Sequence, residues 1–138
     1  MKKMIKRIIT LSLVLLLCFS FAGCNANDKP ADTITFETIT AAQAKALMDS
    51  ETNYVIVDVR RYTDEYLVEH IEGAINIPNE DINEKAESIL KDKDQLILVY
   101  CRSGKRSKDA SEKLAKLGYT NVKNFGGIQD WPYGTVKP

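Results

Sequence analysis

Short runs of apolar residues predict the strands of a sheet. Residues 54–57 and 96–100 are continuous apolar runs, as expected of strands that are buried on both faces of a parallel sheet. Residues 74–77 and 122–125 are weaker candidates, and residues 34–36 are a candidate edge strand. The pattern therefore predicts a sheet with at least two fully buried strands.

Amphipathic segments between these runs predict helices. Thr40 and Gln43 form a capping box that opens the first helix. Asp81 and Glu84 can cap a second helix, and Gly118 can end a third. The apolar residues expected to face inward are Ala44, Leu47 and Met48, then Ile82, Ala86, Ile89 and Leu90, then Ala110, Leu114 and Leu117. Strands alternating with helices predict an α/β domain with a mainly parallel central sheet flanked by helices.

The first 23 residues have the composition of an export signal. A basic segment, residues 1–7, precedes an apolar run over residues 8–22 that contains no acidic residue. This length suits the core of a signal peptide better than a membrane span, which needs about 20 apolar residues. An uncleaved N-terminal anchor helix is the alternative.

The end of that run, Phe21-Ala22-Gly23-Cys24, resembles a bacterial lipoprotein lipobox. The resemblance implies cleavage before Cys24 and acylation of its thiol, which provides stable membrane anchoring. Residues 24–32 are then a polar tether, and residues 33–138 form the folded domain. We expect the protein to be exported and anchored to the outer face of the cytoplasmic membrane, or to the periplasmic side of an outer-membrane system.

Charge and composition exclude several functions. The 138 residues contain 19 basic and 19 acidic side chains, one His and three Cys. Four of the basic residues lie in the predicted signal, so residues 24–138 hold 15 basic and 19 acidic residues, a net charge of −4. This balance disfavours a nucleic-acid partner, and the His and Cys content excludes a zinc finger or a His-rich metal site. We expect no metal and no cofactor.

Cys101 is the only thiol that the folded domain would retain, because Cys18 leaves with the signal and Cys24 is lipidated. A lone thiol in an exported protein is a candidate reactive cysteine, and a buried inert cysteine is the alternative. The neighbouring residues favour reactivity. Residues 101–107 run from a buried strand into a helix, where Gly104 lets successive amides turn inward.

Three cations in this loop, Arg102, Lys105 and Arg106, favour a lowered thiol pKa and the binding of an anion. Two other unusual segments, residues 58–60 and 126–127, also follow predicted strands. Sites in parallel α/β sheets form beyond the carboxyl ends of the strands. The three segments therefore predict one site.

Four segments in this order resemble the rhodanese family of single-domain sulfurtransferases, over roughly residues 33–134. They are Asp58-Val59-Arg60 with Glu65-Tyr66, His70-Ile71 with Gly73-Ala74 and Asn76-Ile77-Pro78, the loop at residues 101–106, and Gly126-Gly127-Ile128 with Trp131. The resemblance implies a rhodanese-like fold and a catalytic Cys101. The thiolate would take sulfur from an anionic donor such as thiosulfate and pass the persulfide sulfur to a thiol, to cyanide or to a protein acceptor.

The resemblance also implies roles for the other loop residues. The donor and the persulfide would be bound by Arg102, Ser103, Gly104, Lys105 and Arg106. Ser107, Asp58 and Arg60 would support the site. Asp58 and Arg60 either orient the cysteine loop or pair with neighbours such as Glu65. The remaining candidates have structural interpretations: His70 bonds within a turn, Trp131 lies in the core, and Gly126 and Gly127 allow close backbone approach.

Two other functions are alternatives to sulfur transfer. A cysteine phosphatase loop has Arg at the sixth position after Cys, where this chain has Ser107, and Arg106 lies one residue short. The sequence therefore disfavours a phosphatase. A sulfur carrier without turnover, or a rhodanese-like binding module, would keep the same loop and stays an alternative.

Overall fold

The computed structural model describes residues 35–138, so the predicted signal peptide and the whole tether, including Cys24, lie outside the described residues. Within these residues, parallel strands form one sheet in the order β1-β5-β4-β2-β3. The strands are β1 (Glu37–Thr38), β2 (Tyr54–Asp58), β3 (Ile75–Asn76), β4 (Leu96–Cys101) and β5 (Val122–Gly127). The predicted α/β domain with a parallel sheet is confirmed.

Helices cover both faces of this sheet. They are α1 (Ala41–Ser50), α2 (Ile82–Ile89) and α3 (Lys105–Lys116). On one face α1 packs against Ile56, Leu98 and Phe125. On the other face α2 and α3 pack against Val57 and Val99. No helix in the described part of the chain is long and apolar enough to span a membrane.

The central strand β4 is buried along its whole length, and its side chains alternate between the two core layers. Tyr100 packs in the layer of α1, whereas Cys101 packs in the layer of α2 and α3. This alternation follows from the two-residue period of a strand. It places Cys101 beside the start of α3.

The predicted caps of α1 and α3 are confirmed. The Gln43 amide donates to the Thr40 hydroxyl oxygen at 3.2 Å, and the Thr40 amide donates to Gln43 Oε1 at 2.9 Å. Gly118 follows α3 with a φ of 91°, a left-handed conformation that glycine adopts without steric cost. Its amide donates to the Ala115 carbonyl.

Three sequence predictions about local structure are wrong. The edge strand is Glu37–Thr38 rather than residues 34–36, because the ladder pairs Glu37 with Lys123. Asp81 does not cap α2: its backbone is already helical after a 3-10 turn, and its carboxylate accepts from Lys85. Ile89 is 45% exposed, because α2 ends there and the extended Leu90 takes the buried position.

Candidate active site

The cysteine loop connects the end of β4 to the start of α3, as predicted. Gly104 has a φ of 100° and immediately precedes the helix. This left-handed conformation turns its amide back toward Cys101, so that it donates to Sγ at 3.0 Å. The cysteine itself is only 1% exposed. The sulfur therefore lies at the inner end of a loop whose amides face it.

Hydrogen bonding around the sulfur favours the thiolate. Burial raises the pKa of the Cys101 thiol, but hydrogen bonds from the hydroxyl and amide of Ser107 and from the amides of Gly104 and Ser103 outweigh burial. The thiol pKa therefore lies below the ordinary value of a cysteine. The lowered thiol pKa predicted from the loop is confirmed, with the fixed donors of the loop as its cause.

Ser107 connects this loop to the neighbouring strand β5. It is fully buried, and its hydroxyl lies 2.8 Å from Asn124 Oδ1, 3.0 Å from the Gly104 carbonyl and 3.1 Å from the Gly126 carbonyl. A hydroxyl has a single proton, so these acceptors and the cysteine sulfur compete for it. Asn124 Oδ1 also accepts from the Gly126 amide at 3.1 Å. Ser107 thus links the cysteine loop to β5 through Asn124, a partner that was not predicted from the sequence.

Close packing of two backbones holds the loop in place. A Cβ atom built on Gly127 would lie 2.2 Å from the Arg102 carbonyl oxygen and 2.7 Å from the Ser103 Cα. Gly127 is also the register partner of Cys101 in the sheet. The Gln129 amide donates to the same Arg102 carbonyl at 3.3 Å. The predicted role of glycine at position 127 in close backbone approach is confirmed.

The three loop cations differ in their surroundings. Arg102 and Lys105 are exposed, and neither side chain has an acidic partner among residues 35–138. Arg106 instead donates from Nη1 and Nη2 to the two carboxylate oxygens of Glu65, both at 2.7 Å. Two cations therefore point to solvent at the rim, and the third is neutralised.

Asp58 and Arg60 pair with one another rather than with the cysteine loop or with Glu65. Arg60 Nη2 lies 2.7 Å from Asp58 Oδ2, and both residues are buried. The Tyr100 hydroxyl donates to the same carboxylate oxygen at 2.7 Å, and Arg60 Nη2 donates to the Glu69 carbonyl at 2.6 Å. Within the described chain neither side chain bonds to residues 101–107. Of the two predicted alternatives, direct orientation of the cysteine loop is therefore wrong. Pairing with neighbours is confirmed, although the partners are each other and not Glu65.

Asp58 cannot reach the cysteine loop because successive side chains of a strand point to opposite faces of the sheet. Asp58 is the register partner of Tyr100, so both side chains point to the face of α1, whereas Cys101 points to the opposite face. Burial and the Asp58 carboxylate raise the pKa of the Tyr100 hydroxyl, which stays protonated as a donor. Through the Tyr100 hydroxyl, the pair links the carboxyl ends of β2 and β4 without a direct hydrogen bond to residues 101–107.

His70 and Trp131 have structural roles. His70 Nδ1 lies 3.0 Å from the Tyr66 carbonyl, and its ring stacks on that of Tyr66 at 4.1 Å between centroids. Trp131 is buried and packs against Phe125. Both interpretations made from the sequence are confirmed. In the described chain, no group of three His, Cys, Asp or Glu side chains could hold a metal ion.

Sequence reasoning missed two residues of the site. Glu65, the partner of Arg106, was assigned only as a neighbour of Asp58 and Arg60. Asn124 was treated as part of a weak strand. Glu65 carried a signal as part of a segment that resembles the family. Asn124 carried one as a polar residue within a predicted strand, two positions before Gly126. A buried polar side chain in such a place requires hydrogen-bond partners.

The fold and the loop define a class: a parallel α/β domain that holds a cysteine sulfur against backbone amides beside a helix N-terminus. The family model named rhodanese-like domain matches residues 40–132. The chain belongs to this family of sulfurtransferase-related domains.

Individual relatives agree with this assignment. The chain is 41% identical over 81 residues to the thiosulfate sulfurtransferase PspE of Escherichia coli, covering 59% of this chain and 77% of the relative. It is 34% identical over 88 residues to the putative sulfur carrier protein YrkF of Bacillus subtilis, covering 63% of this chain but only 46% of that protein. A solved structure described as a rhodanese with anions from E. coli matches with a TM-score of 0.57 and 39% identity, covering 62% of this chain and 99% of that one.

Proposed function

We propose that this protein is a sulfurtransferase that moves a sulfane sulfur from a small anionic donor to a thiophilic acceptor through a persulfide on Cys101. The Cys101 thiolate attacks the outer sulfur of thiosulfate. A sulfur–sulfur bond forms on the enzyme, and the bond to the sulfite group breaks, so that sulfite leaves with the bonding electron pair. A thiolate or cyanide acceptor then attacks the outer persulfide sulfur and returns Cys101 as a thiolate. Charge and electrons balance in both steps.

The observation that carries this proposal is the environment of the Cys101 sulfur. The Gly104 amide contacts Sγ at 3.0 Å, and the thiol pKa is lowered by fixed donors. The loop donors thus favour the ionised form of the nucleophile. The likeness to a thiosulfate sulfurtransferase supports the same reading.

Features of the loop support a small anionic donor. Arg102 and Lys105 are exposed cations at its rim, suited to attract a dianion. Because Cys101 is only 1% exposed, a donor with a terminal sulfur can reach it more easily than a bulky disulfide can. Position 107, where a cysteine phosphatase would carry an arginine, holds the buried Ser107.

We expect the purified chain to gain the mass of one sulfur atom on Cys101 after exposure to thiosulfate. Because the thiolate is the nucleophile, the rate of uptake should fall as the pH drops through the lowered pKa of the thiol. Intact-protein mass spectrometry over a pH series measures both. No uptake at any pH would contradict the proposal.

Turnover separates an enzyme from a carrier. An enzyme should convert many equivalents of thiosulfate with cyanide or a small thiol as acceptor. A carrier should load once and keep its sulfur until a specific protein accepts it, a function suggested by the likeness to a sulfur carrier protein. Repeated turnover with small acceptors is the result we expect.

We further propose that Cys24 is lipidated and that the domain is tethered outside the cytoplasmic membrane. The support is the basic segment, the apolar run and the Ala-Gly-Cys junction of the sequence. Metabolic labelling with a fatty acid should mark the wild-type protein and spare Cys24→Ala. Equal labelling of this variant would place the lipid on another residue, and no labelling of the wild-type protein would favour an uncleaved anchor.

A further inference from the structure

An ion pair lies against the cysteine loop and links it to the segment after β2. Arg106 donates two hydrogen bonds of 2.7 Å to Glu65, and the Glu65 carboxylate also accepts from the Arg61 amide at 3.2 Å. The Glu65 side chain is 12% exposed and that of Arg106 is 32% exposed. This geometry is bidentate and partly shielded from water, which distinguishes it from an ordinary surface pair.

The pair alters the charge that an anion in the loop meets. Hydrogen bonds from Arg106 outweigh burial and lower the pKa of Glu65 to about 2, so its carboxylate is ionised wherever the thiol titrates. Glu65 and then the Cys101 thiolate contribute to raising the pKa of Arg106, so this guanidinium stays charged and acts on the thiolate. Its charge is cancelled by Glu65, whereas Arg102 and Lys105 at the rim have no acidic partner among residues 35–138.

We propose that Glu65 is a positioning residue that limits the anion affinity of the cysteine loop, so that the anion released by sulfur transfer can leave. The inference rests on the proposed function, in which the donor thiosulfate and the product sulfite are both sulfur oxyanions. Contacts that bind donor and product equally well add nothing to turnover and slow product release. In this arrangement the exposed Arg102 and Lys105 attract the anion, whereas the charge of Arg106, which interacts with the Cys101 thiolate, is neutralised.

A second consequence concerns the orientation of Arg106. Two of the five N–H groups of the Arg106 guanidinium are used on Glu65, which leaves three that can donate to an anion. Loss of Glu65 therefore changes both the charge and the order of this side chain.

The test compares Glu65→Gln with a matched control, Asp64→Asn. Both changes remove one carboxylate from the same turn, but Asp64 is exposed and pairs with Arg61 at 2.6 Å. Sulfate serves as an inert probe of anion affinity, measured by calorimetry, and sulfite inhibition is measured during turnover. Glu65→Gln should bind sulfate roughly three- to tenfold more tightly, because the Arg106 charge is no longer cancelled.

In turnover, Glu65→Gln should lower KM for thiosulfate, lower kcat and strengthen sulfite inhibition by a similar factor. Asp64→Asn should stay within about twofold of wild type in each quantity, since the charge that it frees is exposed and screened. Glu65→Asp keeps the negative charge and should restore sulfate affinity toward that of wild type. Circular dichroism and thermal unfolding confirm that each variant is folded.

Two outcomes would overturn the role of Glu65. Unchanged or weaker sulfate binding in Glu65→Gln would make the ion pair a structural link only. An equal gain in sulfate affinity in Asp64→Asn would show that the effect depends only on the net charge of the protein. Sulfate binding needs no sulfur transfer, so it tests Glu65 separately from the proposed function, which instead fails when the wild-type protein takes up no sulfur from thiosulfate.

Discussion

Replacing Cys101 by serine should abolish sulfur transfer and leave the fold intact. A serine hydroxyl is not ionised at neutral pH and forms no persulfide, so turnover should fall by about three orders of magnitude or more. The hydroxyl can accept the Gly104 amide that now contacts Sγ at 3.0 Å. The cost in unfolding free energy should therefore stay near 1 kcal/mol. Turnover with thiosulfate and cyanide, together with thermal unfolding, measures the two effects.

The other cysteine of the predicted mature chain offers a matched control. Cys24→Ser should keep sulfur transfer and lose the lipid, whereas Cys101→Ser should lose transfer and keep the lipid. This crossed result assigns one function to each thiol. Near-wild-type turnover in Cys101→Ser would remove Cys101 from the mechanism, and loss of transfer in Cys24→Ser would involve the second thiol in it.

Local sequence signals predicted the parts of the site that lie within one loop. Continuous apolar runs located β2 and β4, and the position of Gly104 between a strand and a helix predicted the turn that brings its amide to Cys101. These features depend on a few neighbouring residues and on the period of a strand. Strand parity could also have shown that Asp58 and Arg60 share a face, since they are two residues apart.

The contacts that join distant segments could not be read from the sequence. Glu65 and Arg106 are 41 positions apart, and Ser107 and Asn124 are 17 apart. Each pair meets because of the order of strands in the sheet, and residue type alone does not specify which carboxylate reaches which cation. The sequence therefore showed that the loop carries three cations. That Glu65 neutralises Arg106 became visible only in the structure.

Gly127→Ala should lower turnover, although Gly127 lies in β5 and not in the cysteine loop. The backbone of Gly127 is extended, with a φ of −120°, so alanine meets no conformational strain there. Its Cβ would instead lie 2.2 Å from the Arg102 carbonyl oxygen, a contact with backbone that cannot rotate away. The loop must move, which we expect to cost about 1–3 kcal/mol of stability. A shift of this kind also misaligns the amides around Cys101, so turnover should fall at least about tenfold.

Gly118→Ala separates this steric effect from the general cost of replacing a glycine. Gly118 has a φ of 91°, and a Cβ built on it meets no atom within 4 Å. Alanine at this position is strained by about 1 kcal/mol. Gly118 follows the carboxyl end of α3, whereas the cysteine loop precedes its amino end. Gly118→Ala should lose stability and keep wild-type turnover, whereas Gly127→Ala should lose both. In Gly127→Ala the pKa of the Cys101 thiol should also rise, which the ultraviolet absorbance of the thiolate measures over a pH series. Full activity in a folded Gly127→Ala protein would show that the loop does not depend on this close approach.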